Sequence, residues 1–244
     1  MIKPKVIVIC GPTASGKTAL SIELAKKING EIISADSMQI YEDMDIGTAK
    51  PSKEEMEGVK HHLIGHVSPE ERYSVARYKK DAIKKIEEVL EKGKFPIIVG
   101  GTGLYVDSLV NWVEYDEIEI DLQYRDYLES LMEKEGLEYL YNKANEIDSK
   151  AMEKISKNDK KRIFRVLEIY HSTGKTKTEQ EIESRKKDNP YDFRLFGINM
   201  EREKLYERIN LRVDIMMNQG LVQEVENIVK KYKRLSNCYA SFRI

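Results

Sequence analysis

The stretch Lys5-Val-Ile-Val-Ile-Cys-Gly-Pro-Thr-Ala-Ser-Gly-Lys-Thr18 decides how the chain is read. The run from Lys5 to Cys10 is apolar and of strand length, as expected for a strand covered on both faces of a parallel sheet. A glycine-rich turn follows at once and opens a helix from about Lys17 to Ile28, with Gly30 just past its end. Gly11 and Gly16 let the loop Gly11, Pro12, Thr13, Ala14, Ser15, Gly16 curl so that its N–H groups converge on phosphate oxygens. The positive end of the helix stands behind them. Lys17 adds a mobile charge, and the Thr18 hydroxyl can ligate Mg²⁺. Strand, loop and helix in this order are the context the motif requires.

Working outward, Glu31 to Ser34 reads as a second strand, and residues 35–70 as a long polar excursion of the kind that is usually functional or partly structured. From Ser74 to Lys92, Val75, Tyr78, Ala82, Ile86 and Val89 form one helical stripe, stopped by Gly93. Phe95 to Val99 is a third buried strand running into Gly100-Gly-Thr-Gly103 and a further helix. Alternating strands and helices predict an α/β fold, a P-loop NTPase-like parallel sheet flanked by helices. After Trp112 the character changes: residues 116–190 carry helical periodicity and many charges but no strand. Phe193 to Ile198 returns to the sheet, followed by helices over about 201–218 and 220–233. The expectation is a P-loop core of residues 1–115 and 191–244, interrupted by an all-α insertion at 116–190.

Bulk properties bound the function. A chain of 244 residues, 34% charged and 41% hydrophobic, fits a helix-rich globular protein, with no apolar run of membrane-spanning length and no signal-peptide anatomy at Met1. The two cysteines, Cys10 and Cys238, have no metal-ligand spacing and point to a reducing, cytoplasmic setting. A net charge of −1 carries no global signal for nucleic acid, although a local basic patch is compatible with it.

Several residues carry chemistry. Asp36 falls just past the second strand, where open α/β sheets place their ligand crevice. It suits a general base, and equally a helix cap or an outer Mg²⁺ ligand. Thr102 offers a hydroxyl in a turn that is otherwise a plain strand–helix connection. The adjacent His61 and His62 have no metal-spaced partners and read as structural. Near Asn158 a helix begins with Ile163, Val166, Leu167 and Tyr170 at core spacing, and with Lys161, Arg162 and Arg165 on another side. Arg185, Lys186 and Lys187 follow in the same insertion. Such a basic face is a solvated surface or a seat for an RNA backbone. In the helix after Met200, Leu205, Ile209, Val213 and Met217 form the expected core stripe. Arg208 and Arg212 share another face, as surface residues or as a clamp on a second phosphate.

Taken in order, these segments resemble the tRNA dimethylallyltransferases, also called tRNA isopentenyltransferases. The resemblance rests on Gly-Pro-Thr-Ala-Ser-Gly-Lys-Thr (11–18), Asp-Ser-Met-Gln-Ile-Tyr (36–41), Asp-Ile-Gly-Thr-Ala-Lys-Pro (45–51), His-His-Leu-Ile (61–64) and Gly-Gly-Thr-Gly-Leu-Tyr (100–105). Asn-Asp-Lys-Lys-Arg-Ile-Phe-Arg-Val-Leu-Glu (158–168) and Gly-Leu-Val-Gln-Glu-Val (220–225) complete it. It implies transfer of a dimethylallyl group from dimethylallyl diphosphate to N6 of the adenine 3′-adjacent to the anticodon of tRNA, with Mg²⁺ as cofactor. The phosphate loop then holds the diphosphate leaving group in place of ATP, together with Arg212. Asp36 is implied as the base, Lys17 and Thr18 as its catalytic companions, and Thr18 as the metal ligand. The anticodon stem-loop is implied to meet Asp36, Ser37, Met38, Gln39, Thr102, Arg125, Lys161, Arg162, Ile163, Phe164 and Arg165. The chain is expected to act as a monomer without a membrane. Gly65 stands where the family usually has Asp, and the family usually continues for some sixty or more residues, so a C-terminally truncated or frameshifted member is expected. A small-molecule kinase or nucleotide prenyltransferase, and a non-catalytic RNA-binding remnant, are the competing readings. A basic helical arm argues against the first, and the presence of Lys17, Thr18 and Asp36 against the second.

Overall fold

The structure, a computed structural model, describes residues 2–113, 121–184 and 188–232. The basic cluster Arg185, Lys186 and Lys187, the second cysteine Cys238 and the last residue of the helix expected to reach 233 lie outside the described residues. The chain divides into two compact units, Met1–Asn111 with Asn189–Ile244, and Trp112–Asp188.

The first unit is built on five parallel strands, β1 (Lys5–Cys10), β2 (Gly30–Ser34), β3 (His61–His62), β4 (Phe95–Gly100) and β5 (Asp192–Gly197), in the order β3-β2-β4-β1-β5. Alternate side chains on a strand face opposite sides. Ile9, Ile32 and Ile97 accordingly pack with Ile22 and Ala25 of helix α1 (Lys17–Ile28). The intervening Val8, Ile33 and Ile98 are fully buried. Helix α2 (Val75–Glu91) packs on β2 and β4 and buries Tyr78, Ala82, Ile86 and Val89, while Ser74 caps it by accepting the Arg77 N–H at 3.1 Å. Burying four such side chains on one stripe explains why a helix with so polar an outer face is stable.

The long excursion is less irregular than its composition predicts. His61 and His62 add a two-residue strand beside β2, and Tyr41 bridges Val67. His62 is buried with Nε2 2.7 Å from Glu31, and the His61 ring contacts the Val59 carbonyl at 2.9 Å. Glu31 also accepts from Lys92 at 3.1 Å and Lys94 at 2.9 Å, so a carboxylate buried to 3% exposure is satisfied by three donors.

Helices α3 (Gly103–Val110), α9 (Arg202–Asn218) and α10 (Leu221–Lys231) complete this unit; between α3 and α9 the chain forms the second unit and then β5. The core stripe expected on α9 is not a core. Leu205 and Ile209 are half-buried, Val213 and Met217 are about half exposed, and the helix has no fully buried residue. It follows β5, an edge strand on which Leu195 and Phe196 are likewise exposed.

The second unit is helical throughout its described residues. Helices α4 (Leu122–Glu135), α5 (Leu137–Ile147), α6 (Ser149–Met152), α7 (Lys160–Thr173) and α8 (Lys177–Ser184) enclose Leu128, Leu140, Ala144, Met152, Ile163, Phe164 and Leu167. Asp148 is buried and ties α6 to α8, accepting from the Ala151 N–H at 3.0 Å, the Thr178 N–H at 2.8 Å and the Thr178 hydroxyl at 2.6 Å. Two sequence readings of α7 need correction. Ile163 keeps the core place its spacing gave it, but Ile163 and Phe164, also implied by the resemblance to meet tRNA, are 0% and 2% exposed, and their side chains hold the helix in place. Tyr170, assigned to the core, is 43% exposed; Phe164 and Ile169 widen the buried face instead. Among the described residues, no helix is long and apolar enough to cross a membrane.

Candidate active site

The carboxyl ends of β1, β2 and β4 meet at one edge of the sheet, and backbone constraints place the functional groups there. Gly16 stands at the N-cap of α1 with φ +89°, a conformation glycine adopts without strain, and no side chain caps the helix. The first-turn N–H groups are therefore open to an anion. Ala14 also lies in the left-handed region, at φ +63°. Thr13, Ala14, Ser15, Gly16, Lys17 and Thr18 all line a cleft of about 1420 Å³. Gly11 and Pro12 do not line it; their carbonyls accept from Lys17 Nζ at 2.8 and 2.6 Å. Ser15 is buried, its hydroxyl without a hydrogen-bond partner among the described residues.

Across the sheet edge, Gly100 permits the contact that sets Asp36. A Cβ there would lie 2.1 Å from the Ala35 carbonyl oxygen. The Ala35 N–H donates to Val99 at 2.8 Å, and the Thr102 N–H donates to Ala35 at 3.2 Å, so the chain leaving β2 is pinned over the end of β4. Thr102 accepts the Ser37 N–H at 2.9 Å and donates to the Ser37 hydroxyl at 3.3 Å. Asp36 Oδ1 accepts the N–H groups of Met38 at 2.9 Å and Gln39 at 3.3 Å, which fixes the carboxylate in a local turn. Its Oδ2 accepts no hydrogen bond among the described residues. One carboxylate oxygen thus caps a turn, not a helix, and the other accepts nothing among the described residues, on a residue that lines the cleft.

Charge converges on the same space. Burial pushes the Lys17 ammonium below its ordinary value, Asp36 opposes that, and Arg212 adds to it. Burial likewise lowers Arg212, against the attraction of Asp36. Lys26 is ion-paired to Glu57, and Lys50 to Asp45 at 2.5 Å. No ion pair engages Lys17, Arg208 or Arg212 among the described residues, which leaves them facing a cleft suited to a polyanion. Leu211, Ile215 and Met216 of α9, with Ile22 and Ile46, give the cleft apolar wall as well. Of the two readings the sequence left open for Arg208 and Arg212, the structure places both residues along the cleft, together with a wall from Asp45 to Lys53 to which the sequence assigned no role.

The remaining predicted residues separate. Ser37, Met38, Gln39 and Thr102 are engaged in the turn around Asp36 and do not line the cleft. In the helical unit, Arg125 pairs with the buried Glu168 at 3.0 Å, and Arg165 lies 3.8 Å from the same carboxylate. Lys161 and Arg162 are exposed. Among the described residues no cluster of three His, Cys, Asp or Glu could hold a metal ion. Thr18 is exposed in the cleft, and a Mg²⁺ held mainly by phosphate oxygens needs little more from the protein.

A parallel sheet, a complete phosphate loop and a carboxylate opposite it define a P-loop α/β protein built to hold a phosphorylated substrate. The chain belongs to the IPP transferase family, whose profile matches residues 39–242. It is 56% identical to the tRNA dimethylallyltransferase of Acetivibrio thermocellus over 225 residues, 92% of this chain and 72% of that one. The corresponding Bacillus cereus protein is 50% identical over 229 residues, 94% and 72% of the two chains. Among solved structures, a full-length tRNA isopentenylpyrophosphate transferase from Bacillus halodurans matches with a TM-score of 0.66 and 42% identity over 97% of this chain and 74% of its own. A eukaryotic dimethylallyltransferase acting on tRNA matches with a TM-score of 0.76 and 35% identity, over 94% of this chain and 57% of its own.

Proposed function

We propose that this chain transfers a dimethylallyl group from dimethylallyl diphosphate to N6 of the adenine 3′-adjacent to the anticodon in tRNA. The observation that carries the reading is the convergence of Asp36, Lys17 and Arg212 on a cleft floored by the phosphate loop, in a chain of the IPP transferase family. The diphosphate lies against the phosphate loop, and the five-carbon group against the apolar wall. The adenine is taken out of its stack to reach the cleft. Its N6 lone pair forms a bond to C1 of the dimethylallyl group while the C1–O bond breaks, and that electron pair leaves on the diphosphate. Asp36 Oδ2 takes the N6 proton. Lys17, Arg212 and the first-turn N–H groups of α1 stabilise charge where it develops on the leaving group. Thr18 is the residue that would hold Mg²⁺, which would supply further charge neutralisation on the leaving group. The exposed Lys161 and Arg162 of α7 meet RNA phosphates, with Arg125 and Arg165 beside them.

Asp36→Asn separates the two roles of the residue. The amide keeps an oxygen for the Met38 and Gln39 N–H groups but accepts no proton. Label transfer from dimethylallyl diphosphate to unmodified tRNA should fall by about 10² or more, with tRNA binding retained. Near-normal turnover in this variant removes Asp36 from the role of base.

A further inference from the structure

The segment Gly220 to Val225 is not used by the chemistry above, yet it holds the cleft wall. Glu224, in the first turns of α10, accepts three backbone N–H groups. Oε2 takes those of Asp45 at 2.9 Å and Ile46 at 2.7 Å, and Oε1 takes that of Gly47 at 2.9 Å. The receiving turn is otherwise closed on itself: Ala49 N–H donates to Ile46 and Lys50 N–H to Asp45, both at 2.9 Å. A remote carboxylate thus caps the open end of a tight turn as an N-cap residue caps a helix. About two helical turns further on, Lys231 with Tyr232 grips Asp43, each at 2.5 Å. On the other side, Gln39 Nε2 donates to the carbonyls of Thr48 at 3.1 Å and Ala49 at 3.2 Å, which joins this turn to the one that holds Asp36.

We propose that Glu224 is a positioning residue: from α10 it holds the 45–50 turn as the wall of the cleft facing the phosphate loop, and so sets the affinity for the prenyl diphosphate. The inference rests on the proposed function for its ligand. Glu224 itself does not line the cleft, whereas Asp45, Ile46, Thr48, Ala49 and Lys50 do. Loss of the carboxylate frees three N–H groups and lets the wall move. Asp36 keeps its own supports, the Met38 and Gln39 N–H groups and the Thr102–Ser37 bonds, so the chemical step is little affected.

The test compares wild type, Glu224→Gln and Glu224→Ala. Titration calorimetry with dimethylallyl diphosphate, in the absence of tRNA, should show Kd raised by about tenfold or more in Glu224→Ala, with Glu224→Gln between the two. KM for the diphosphate should rise with it, while kcat stays within about threefold. Amide exchange at Asp45, Ile46 and Gly47 should quicken in Glu224→Ala, with β1 and β4 still protected. Unchanged affinity with those three amides exposed overturns the proposal, as does exchange quickened throughout β1 and β4, which would make Glu224 a general stabiliser. A wild-type chain that binds the diphosphate in a Glu224-dependent way but transfers nothing to tRNA keeps this inference and refutes the proposed reaction. A wild-type chain that does not bind it overturns both.

Discussion

Glu31 shows how far from the cleft a single carboxylate can govern this protein. Burial by itself raises its pKa, but hydrogen bonds from Lys94, His62 and Lys92 outweigh that and hold it at about 2. Its folded value lies below the ordinary glutamate value near 4.3, so its stabilising contribution is fully present above that pH. The contribution is lost as pH falls from about 4.3 toward 2. Burial also lowers His61, His62 and His66 from their ordinary value, so acidification below about 6.5 already favours the unfolded chain. Glu31→Gln should lower Tm at neutral pH and converge with wild type near pH 2, as thermal melts across pH will show. A structural role for His61 and His62 was legible in the sequence, but the partner Glu31 was not, because Glu31 and His62 meet only through strand pairing. The phosphate-loop residues were legible, since a local loop conformation needs its glycines, lysine and hydroxyl in a fixed order.

Elements were read best where one stripe faces one core. β1, α1, α2 and β4 are local patterns, and the structure follows them. The failures lie in helices whose surroundings the pattern does not contain. On α7 the buried face is wider than the three-and-four spacing suggests, because α4 and α5 both pack against it. On α9 the same spacing marks residues with little to pack against. The α7 assignment separates experimentally. Phe164→Ala should cost about 3–5 kcal/mol in urea unfolding, since it empties a buried aromatic site. Lys161→Ala should change stability by less than about 0.5 kcal/mol. The lysine variant should instead weaken tRNA binding and reduce its salt dependence by about one phosphate contact. Unchanged tRNA affinity in Lys161→Ala at low salt would leave the α7 stripe as plain solvated surface.

For the molecule as a whole, the parallel sheet and the helical insertion were legible from alternating periodicity and its loss after Trp112, whereas the exposure of α9 and β5 was not. Leu195, Phe196, Leu211, Val213, Ile215 and Met217 are each about half exposed within one unit. The chain should bind the dye ANS in its folded state. Phe196→Ser combined with Val213→Lys should reduce that fluorescence while leaving Tm nearly unchanged; undiminished fluorescence would place the dye elsewhere.

β1 lies between β4 and β5, and Lys5 finds its register partner in Asp192 only after the whole helical unit has been spelled out. During synthesis the first strand waits on the ribosome with one flank open, while Trp112–Asp188, contiguous and rich in local contacts, emerges complete. The insertion is thus the part able to fold first on the nascent chain, and closing the phosphate-binding sheet is the late event. Ribosome stalling with the helical unit outside the exit tunnel but residue 192 still inside it should yield a protease-resistant helical unit beside an N-terminal segment that is still cut.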